Sequence, residues 1–460
     1  MKSSLADQLV ALLGGSAVLP VVGFEVDGLE PQSVVRPLER LQVSEVLRWA
    51  TAEQVSVLPR GGGTRVWLGN VPRQADLVLD LGGLDRLLDY QPADMTATFE
   101  AGMTLASLQE QLAPGGEFVP LEAALPGRST VGGILSVGAG GPLAYAYGLP
   151  REWLIGIGVL SAQGVATKSG GKVVKNVTGY DLNKLYTGSL GTLGVIVEAT
   201  FKLLPIDPGA GVLMASFPTL AASISAGRKL LHSTSAPMGC HSVTSGVSRR
   251  LQDSTLAASR DLGLGDEETA LSFAYYSGRA KATGRRMEEG TALLLAVGAN
   301  AVQRTEGSGS NSLLRWVTDT PLEMGPGSVL VMKVSVQSKS AARTSAECSE
   351  ITISGEKPDQ MADPGFGTIR LFWPEPVERS MNGSGRGRQG EQQILDAIQQ
   401  TRQISYRYGG SAVVEHCPRQ VKRQVDVWGD TPDSLAVMRS IKNKFDPGGI
   451  LNPGRFLGGI

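Results

Sequence analysis

Cysteine and histidine are scarce in this chain, and neither occurs in a metal-binding pattern. The 460 residues hold three cysteines, Cys240, Cys348 and Cys417, far apart and with no CxxC pair. That suits a reducing compartment and excludes a four-cysteine iron or zinc site built from this chain alone. The three histidines, His232, His241 and His416, show no paired spacing, and a His232–His241 pair would span an expected turn. Excess charge of one sign is missing as well: 43 Lys and Arg against 44 Asp and Glu leave no field to collect nucleic acid or an anionic membrane. The apolar stretch Leu9 to Phe24 is broken by Gly14, Gly15, Pro20 and Gly23. It is too short to span a membrane, and Lys2 alone makes a poor signal-peptide start. The expectation is a cytoplasmic protein with no transmembrane segment and no nucleic-acid partner, opening with a helix and a strand.

What the chain has in quantity is glycine, 59 of 460 residues, gathered in short motifs rather than one periodic tract. Tight turns and ligand loops account for that better than a collagen-like or low-complexity chain. A 42% hydrophobic content at this length supports a sizeable core in two or three domains. Val43, Val46, Leu47 and Ala50 recur at helical spacing. Strands are expected at Gln54 to Leu58, Leu77 to Leu81, Leu87 to Tyr90 and Thr96 to Ala101, before a helix starting near Thr104. After Pro208, "GVLMASFPTLAASISAGRKLLHS", "SVLVMKVSVQSKSAARTSAEC" and "FGTIRLFWPE" read as an α+β domain, an antiparallel sheet with helices on one face. "TEGSGSNS" and "ERSMNGSGRGRQGEQQ" have the composition of exposed loops, and no clear internal repeat is visible.

Three glycine motifs carry the chemistry. "PRGGGT" ends a strand with Pro59 and Arg60 and continues into Gly61, Gly62, Gly63 and Thr64. Backbone N–H groups of successive glycines can converge on phosphate oxygens, with the threonine hydroxyl as a further donor; an ordinary loop would read the same way. "PGRSTVGGILSVG" holds Pro126, Gly127, Ser129, Thr130, Gly132, Gly133 and Gly138. Such a density of small residues admits a flat ring or a phosphate against the main chain, or close packing of two lobes. "GSLGTLGVIV" spaces Gly188, Gly191 and Gly194 by three ahead of Val195 and Ile196, which is not a Rossmann fingerprint. The one GxGxxG string, Gly385 to Gly390, lacks the close preceding strand and the later acidic residue.

The order of these motifs, followed by "KNKFDPGGILNPGRF" near the C-terminus, resembles the FAD-linked oxidases of the vanillyl-alcohol oxidase (PCMH) type over residues 30 to 208 and 405 to 460. "GGKVVKNVTGYDL" is most similar to the smaller FAD-binding subunit of glycolate oxidase (glycolate dehydrogenase) and its D-lactate and D-2-hydroxyacid dehydrogenase relatives. The resemblance implies an α+β fold: a two-lobed PCMH-type FAD-binding domain at 30–208, after an N-terminal helix and strand at 1–29. An α+β cap domain with antiparallel sheet follows at 209–430, and a C-terminal segment at 431–460 returns to the FAD domain and brings Asn452 near the cofactor. It further implies that Gly188, Gly191 and Gly194 keep backbone beside the adenine and diphosphate half of FAD, with main-chain contacts from Val195 and Ile196.

No His precedes His232 and no Cys precedes Cys240, so FAD is expected to be held non-covalently. The HxxxxxxH-like pair through which hydroxyacid dehydrogenase relatives hold a catalytic metal is not found, and no metal is expected. Oxidation of a 2-hydroxy acid needs a cation for the carboxylate and a base for the hydroxyl proton. Arg370, sharing a strand face with Thr368 and Phe372, is the candidate cation, with a surface ion pair as its alternative role. His416 is the candidate base, or else a surface histidine. The expected partners are a larger FAD-containing glycolate oxidase subunit and an iron–sulfur subunit, the substrate being a small 2-hydroxy acid. A standalone D-lactate or D-2-hydroxyacid dehydrogenase, and a scaffold subunit with non-catalytic FAD, are the alternatives.

Overall fold

The computed structural model describes residues 4–172, 179–207, 209–252, 269–375 and 388–460. Part of "KNVTGYDL" and most of "ERSMNGSGRGRQGEQQ", with the first three residues of the GxGxxG string, lie outside the described residues. The chain divides into two units. The first is drawn from Met1–Gly140, Leu149–Ile206 and Asp430–Ile460, the second from Gly141–Gly148 and Asp207–Gly429. Gly141–Gly148, expected in the first domain, goes with the second, because Leu143 packs on that unit's core and Tyr145 meets Phe366 edge-on at 6.2 Å.

The first unit holds two sheets. The smaller has strands β1 (Val18–Leu19), β2 (Ser33–Val35), β3 (Val57–Arg60) and β4 (Leu77–Asp80) in the order β1-β2-β4-β3, with β4 parallel to both β2 and β3. β2 and β4 are buried along their whole length, as strands covered on both faces must be. The helix Arg40–Glu53 buries Val43, Val46, Leu47 and Ala50 and ends at Gln54, which adopts a left-handed φ of 55°. The larger sheet is antiparallel: β5 (Leu87–Gln91), β6 (Thr96–Glu100), β8 (Leu154–Leu160), β9 (Ala166–Gly170) and β10 (Val195–Lys202), in the order β5-β6-β10-β8-β9. A short pair, β7 (Glu117–Phe118) with β11 (Leu204–Pro205), completes the unit.

The chain's last residues finish the small sheet. Val57 N–H donates to Ile450 O and Asn452 N–H to Val57 O, so the tail lies parallel beside β3. The helix Leu435–Phe445 carries the buried Lys442, whose Nζ donates to Thr192 O (2.8 Å), Leu451 O (2.9 Å) and Asp446 Oδ2 (2.6 Å). Asp446 in turn accepts the N–H groups of Ile450 and Leu451.

The second unit is one eight-stranded antiparallel sheet of β12 (Gly209–Phe217), β13 (Gly239–Val243), β14 (Ala270–Gly278), β15 (Ala301–Glu306), β16 (Ser328–Ser335), β17 (Asp359–Asp363), β18 (Thr368–Pro374) and β19 (Ser411–His416). Its order, β15-β12-β14-β13-β17-β18-β16-β19, is one four-strand pattern written twice and joined at β13 and β17. Helices Leu220–Leu231 and Ala280–Ala296 in the first half correspond to Ala341–Cys348 and Arg388–Arg407 in the second. The helices are not confined to one face, contrary to expectation. Leu213 and Phe217 pack with Leu230 and Met287, whereas Val212 and Met214, which point the other way, pack with Leu313, Trp316 and Val317 of helix Ser308–Met324. "TEGSGSNS", expected as a loop, is the end of β15, a turn at Gly307 (φ 66°) and the first turn of that helix.

Candidate functional site

In the first unit the three glycine motifs close on one another. Parallel pairing sets Arg60 opposite Asp80, but that carboxylate is taken by Arg36 at 2.9 and 2.7 Å. Arg60 instead lies over the Phe24 ring, 4.6 Å from its centre, and its Nη1 is buried with no hydrogen-bond partner. Burial pushes its guanidinium below the ordinary value; Asp80 opposes this and Arg128 adds to it.

The glycines that follow have immediate reasons inside the protein. A Cβ on Gly61 would overlap the Thr130 hydroxyl, and one on Gly62 the Arg128 carbonyl oxygen. Only Gly63 of the three has a positive φ, 71°, and it turns the chain under the Arg60 guanidinium. Ser129 donates its proton to Ala124 O (2.6 Å), so Thr64 is the donor in the 3.0 Å contact between the Thr64 and Ser129 hydroxyls. These two hydroxyls bond the loops together rather than standing free as donors. Thr130 caps helix Val131–Val137 by accepting from Gly133 N–H, and Gly132 packs on Ala101. Beside Pro126, whose carbonyl accepts from Ala106 N–H, Gly127 has open space where a Cβ would sit.

The third motif bends back on the second. Gly188 (φ 82°) donates to Leu135 O and Leu190 (φ 51°) to Ser136 O. A Cβ on Gly138 would sit 3.1 Å from Gly188 Cα. Gly191 (φ 67°) leaves room for Asn452, whose Nδ2 donates to Leu190 O at 2.6 Å, and for Pro59. Asn452 is left-handed (φ 43°), and its buried Oδ1 has no partner. Gly194 serves packing: a Cβ there would collide with Val159, to which the neighbouring strand residues Val195 and Ile196 are registered through Leu160 and Val159. Pro59, Gly191 and Asn452 thus meet at the end of β3.

The second unit gathers buried charge on one face of its sheet. Arg370 on β18 donates Nε to Glu415 Oε2 at 3.0 Å, the side chains being 16% and 6% exposed. Glu415 is the extra residue of a bulge between Val414 and His416 on β19, and such a bulge re-aims a side chain. Arg370 makes no other hydrogen bond to a described residue, which leaves its Nη1 and Nη2 edge unclaimed. On the same face, buried His241 of β13 holds Nε2 3.7 Å from Asp363 Oδ2 of β17. His416 is the half-buried last residue of β19. His232 is exposed at the end of helix Leu220–Leu231. Among the described residues no cluster of three His, Cys, Asp or Glu could hold a metal.

Residues 31–170 match the family described as an FAD binding domain, and residues 385–456 match the C-terminal domain of FAD linked oxidases. The chain thus carries an FAD binding domain followed by the C-terminal domain of FAD linked oxidases. It is 36% identical over 189 residues to a D-2-hydroxyglutarate dehydrogenase of Xanthomonas citri pv. viticola, spanning 41% of this chain and 40% of that protein. A D-2-hydroxyglutarate dehydrogenase of Stutzerimonas stutzeri is 26% identical over 447 residues, 92% of this chain and 90% of the relative. Glycolate oxidase subunit GlcD of Bacillus subtilis is 32% identical over 193 residues, covering 42% and 41%. In fold, the chain is similar to p-cresol methylhydroxylase with substrate bound, at a TM-score of 0.73 and 18% identity over 98% of this chain and 95% of that one.

The cofactor of an FAD-linked oxidase fits what the first unit offers. The buried, unpartnered Arg60 Nη1 is a donor for a phosphate, and the unpartnered Asn452 Oδ1, beside Gly191, is an acceptor. Neither atom is satisfied inside the protein. All three histidines and all three cysteines fall in the second unit, so the first unit offers neither a histidine nor a cysteine to tether a flavin.

Reading the sequence missed Glu415, Asp363 and the burial of His241. A signal existed: Asp363 and Arg370 stand seven apart across one tight turn, the same separation as in an HxxxxxxH pair, and Glu415 directly precedes His416.

Proposed function

We propose that this flavoprotein oxidises a small 2-hydroxy acid, glycolate in the first instance, and works as the FAD-binding subunit of a complex whose iron–sulfur subunit takes the electrons onward. Arg370 carries this reading. A guanidinium 16% exposed, fixed through Nε on Glu415 and with its Nη edge unclaimed, is built to take a carboxylate in two parallel hydrogen bonds. Glu415 positions it. Bound FAD supplies the hydride acceptor; Arg60, Gly63, Gly191 and Asn452 would hold it, together with the loops at Gly61–Thr64 and Pro126–Gly133. A three-cysteine chain with no CxxC pair leaves onward one-electron transfer to a partner. The near full-length likeness to the Stutzerimonas protein supports a second reading, a standalone dehydrogenase of D-2-hydroxy acids.

The test is anaerobic flavin bleaching by glycolate, D-lactate and D-2-hydroxyglutarate, for the chain alone and with its candidate partner subunits. Bleaching that Arg370→Lys removes is the expected result; Lys keeps the charge and loses the fork. No bleaching by any of the three acids, with or without partners, would refute the proposal. Full turnover of a dye by the chain alone would select the standalone reading.

A further inference from the structure

His241 has no role in the reading so far, and its surroundings are unlike those of a packed core histidine. Its Nε2 faces the Asp363 carboxylate, while Nδ1 is buried with no hydrogen-bond partner. A buried polar nitrogen left unpaired costs about 1–3 kcal/mol, so it calls for a reason. Asp363 Oδ1 is committed to the Gly365 and Phe366 N–H groups at 2.8 and 3.1 Å, which fixes the carboxylate and leaves Oδ2 for the imidazole. The groups around the ring are Asp363 from β17, Tyr275 from β14 with ring centres 6.2 Å apart, and Arg370 from β18 with Glu415 behind it. Burial, with Arg370 adding to it and Asp363 opposing, holds the imidazole below its ordinary value, hence neutral at physiological pH.

We propose that His241, not His416, is the base that takes the hydroxyl proton of the substrate, at Nδ1, with Asp363 orienting the ring and stabilising the imidazolium through Nε2. With Asp363 Oδ2 3.7 Å from Nε2, the charge favours the tautomer that carries its proton on Nε2 and leaves the Nδ1 lone pair free. The inference rests on Arg370 being the carboxylate clamp, since the same face then presents a cation for C1 of the acid and a base for the oxygen on C2. The substrate O–H bond breaks and its proton goes to Nδ1. Bound FAD would accept the C2 hydrogen with its electron pair as hydride. C2 and its oxygen become a carbonyl, the acid losing two electrons and the flavin gaining two.

Two measurements on the FAD-loaded chain, with its partners if turnover needs them, decide the matter. The first is histidine side-chain 15N NMR on dithionite-reduced protein, in which glycolate binds without being oxidised; with three histidines, His232→Gln and His416→Gln assign the signals. Glycolate should move the His241 Nδ1 resonance, and Arg370→Lys should abolish that shift. The second is the rate of flavin reduction. His241→Asn should lower it about 10²–10⁴-fold with glycolate affinity within about threefold. Asp363→Asn, which keeps the Oδ1 acceptor of the turn, should move the apparent pKa of the rate downward, because a neighbouring carboxylate raises it. His416→Asn should leave that profile in place. If His241→Asn misfolds, His241→Gln and the NMR shift in unmodified protein stand as the test. A His241 variant within threefold of the unmodified rate, or a glycolate-induced shift at His416 instead, overturns the inference while the clamp survives. Flavin reduction by glycolate that is indifferent to both Arg370 and His241 overturns the functional reading itself.

Discussion

Lys442→Met is the sharpest test of how the cofactor loops are held. The ammonium lies inside the first unit, 9% exposed, and ties three segments together: Asp446 on its own helix, Leu451 in the strand beside β3, and Thr192 in the turn that carries Gly188 and Gly191. Methionine keeps most of the volume but strands Asp446, whose side chain is fully buried, as an uncompensated charge. Breaking one side of a buried ion pair costs about 3–5 kcal/mol. For a unit of this size each kcal/mol moves Tm by about 2–4 °C, so a fall of roughly 6–20 °C is expected. Release of bound flavin, followed by its fluorescence during heating, is the assay, because the same change frees the Thr192 turn from the tail. Lys442→Met/Asp446→Asn should recover part of the loss, since the stranded charge is gone; such non-additivity marks a direct pair. A shift under about 2 °C for the single variant, or a double variant worse than the sum of its parts, would refute the reasoning.

Three further outcomes are expected. Gly62→Val should give a folded protein with little FAD, because the new side chain drives the Arg128 carbonyl and the second loop away, whereas Gly127→Ala should keep its flavin; equal flavin content in the two would show that the loop contact does not matter. Acid precipitation should leave the flavin in the supernatant, as no His or Cys lies in the FAD unit; flavin in the pellet would contradict this. Glu415→Ala should weaken glycolate binding by about tenfold or more through Arg370, a buried charge-assisted bond being worth about 1.5–3 kcal/mol, with flavin content unchanged; an unaltered Kd would remove Glu415 from the site.

The sequence made some of this readable and hid the rest for physical reasons. β4, β5 and β6 appear where alternation or apolar runs put them, and Thr104 does cap a helix. β13 and β17 escape a reading by pattern because "GCHSV" and "DQMAD" carry polar side chains at positions the fold buries; only the neighbouring strands make them strands. β15 reads as part of a helix, since "ANAVQ" continues the composition of the helix before it, and the break comes from Gly298 at φ 99°. The glycine motifs announced close approach, but the partner for Gly62 and Gly138 proves to be protein backbone. The charged face of the second unit was legible only at Arg370 and in the Asp363–Arg370 spacing; His241, Asp363, Arg370 and Glu415 sit on separate strands, and only sheet order makes them neighbours.

The pairing of Val57 with Leu451 also sets a timetable. Roughly four hundred residues separate the partners, and at ~5–20 residues per second a ribosome needs on the order of 20–80 s to make that stretch. Throughout that interval β3 is made but its outer edge has no neighbour, while the whole of the second unit emerges and can fold. On the site proposed above, flavin capture uses Asn452 against Gly191 and so follows the synthesis of residue 452. A chaperone that shields strand edges, or an early supply of FAD, would act on quite different stages of the same chain's life.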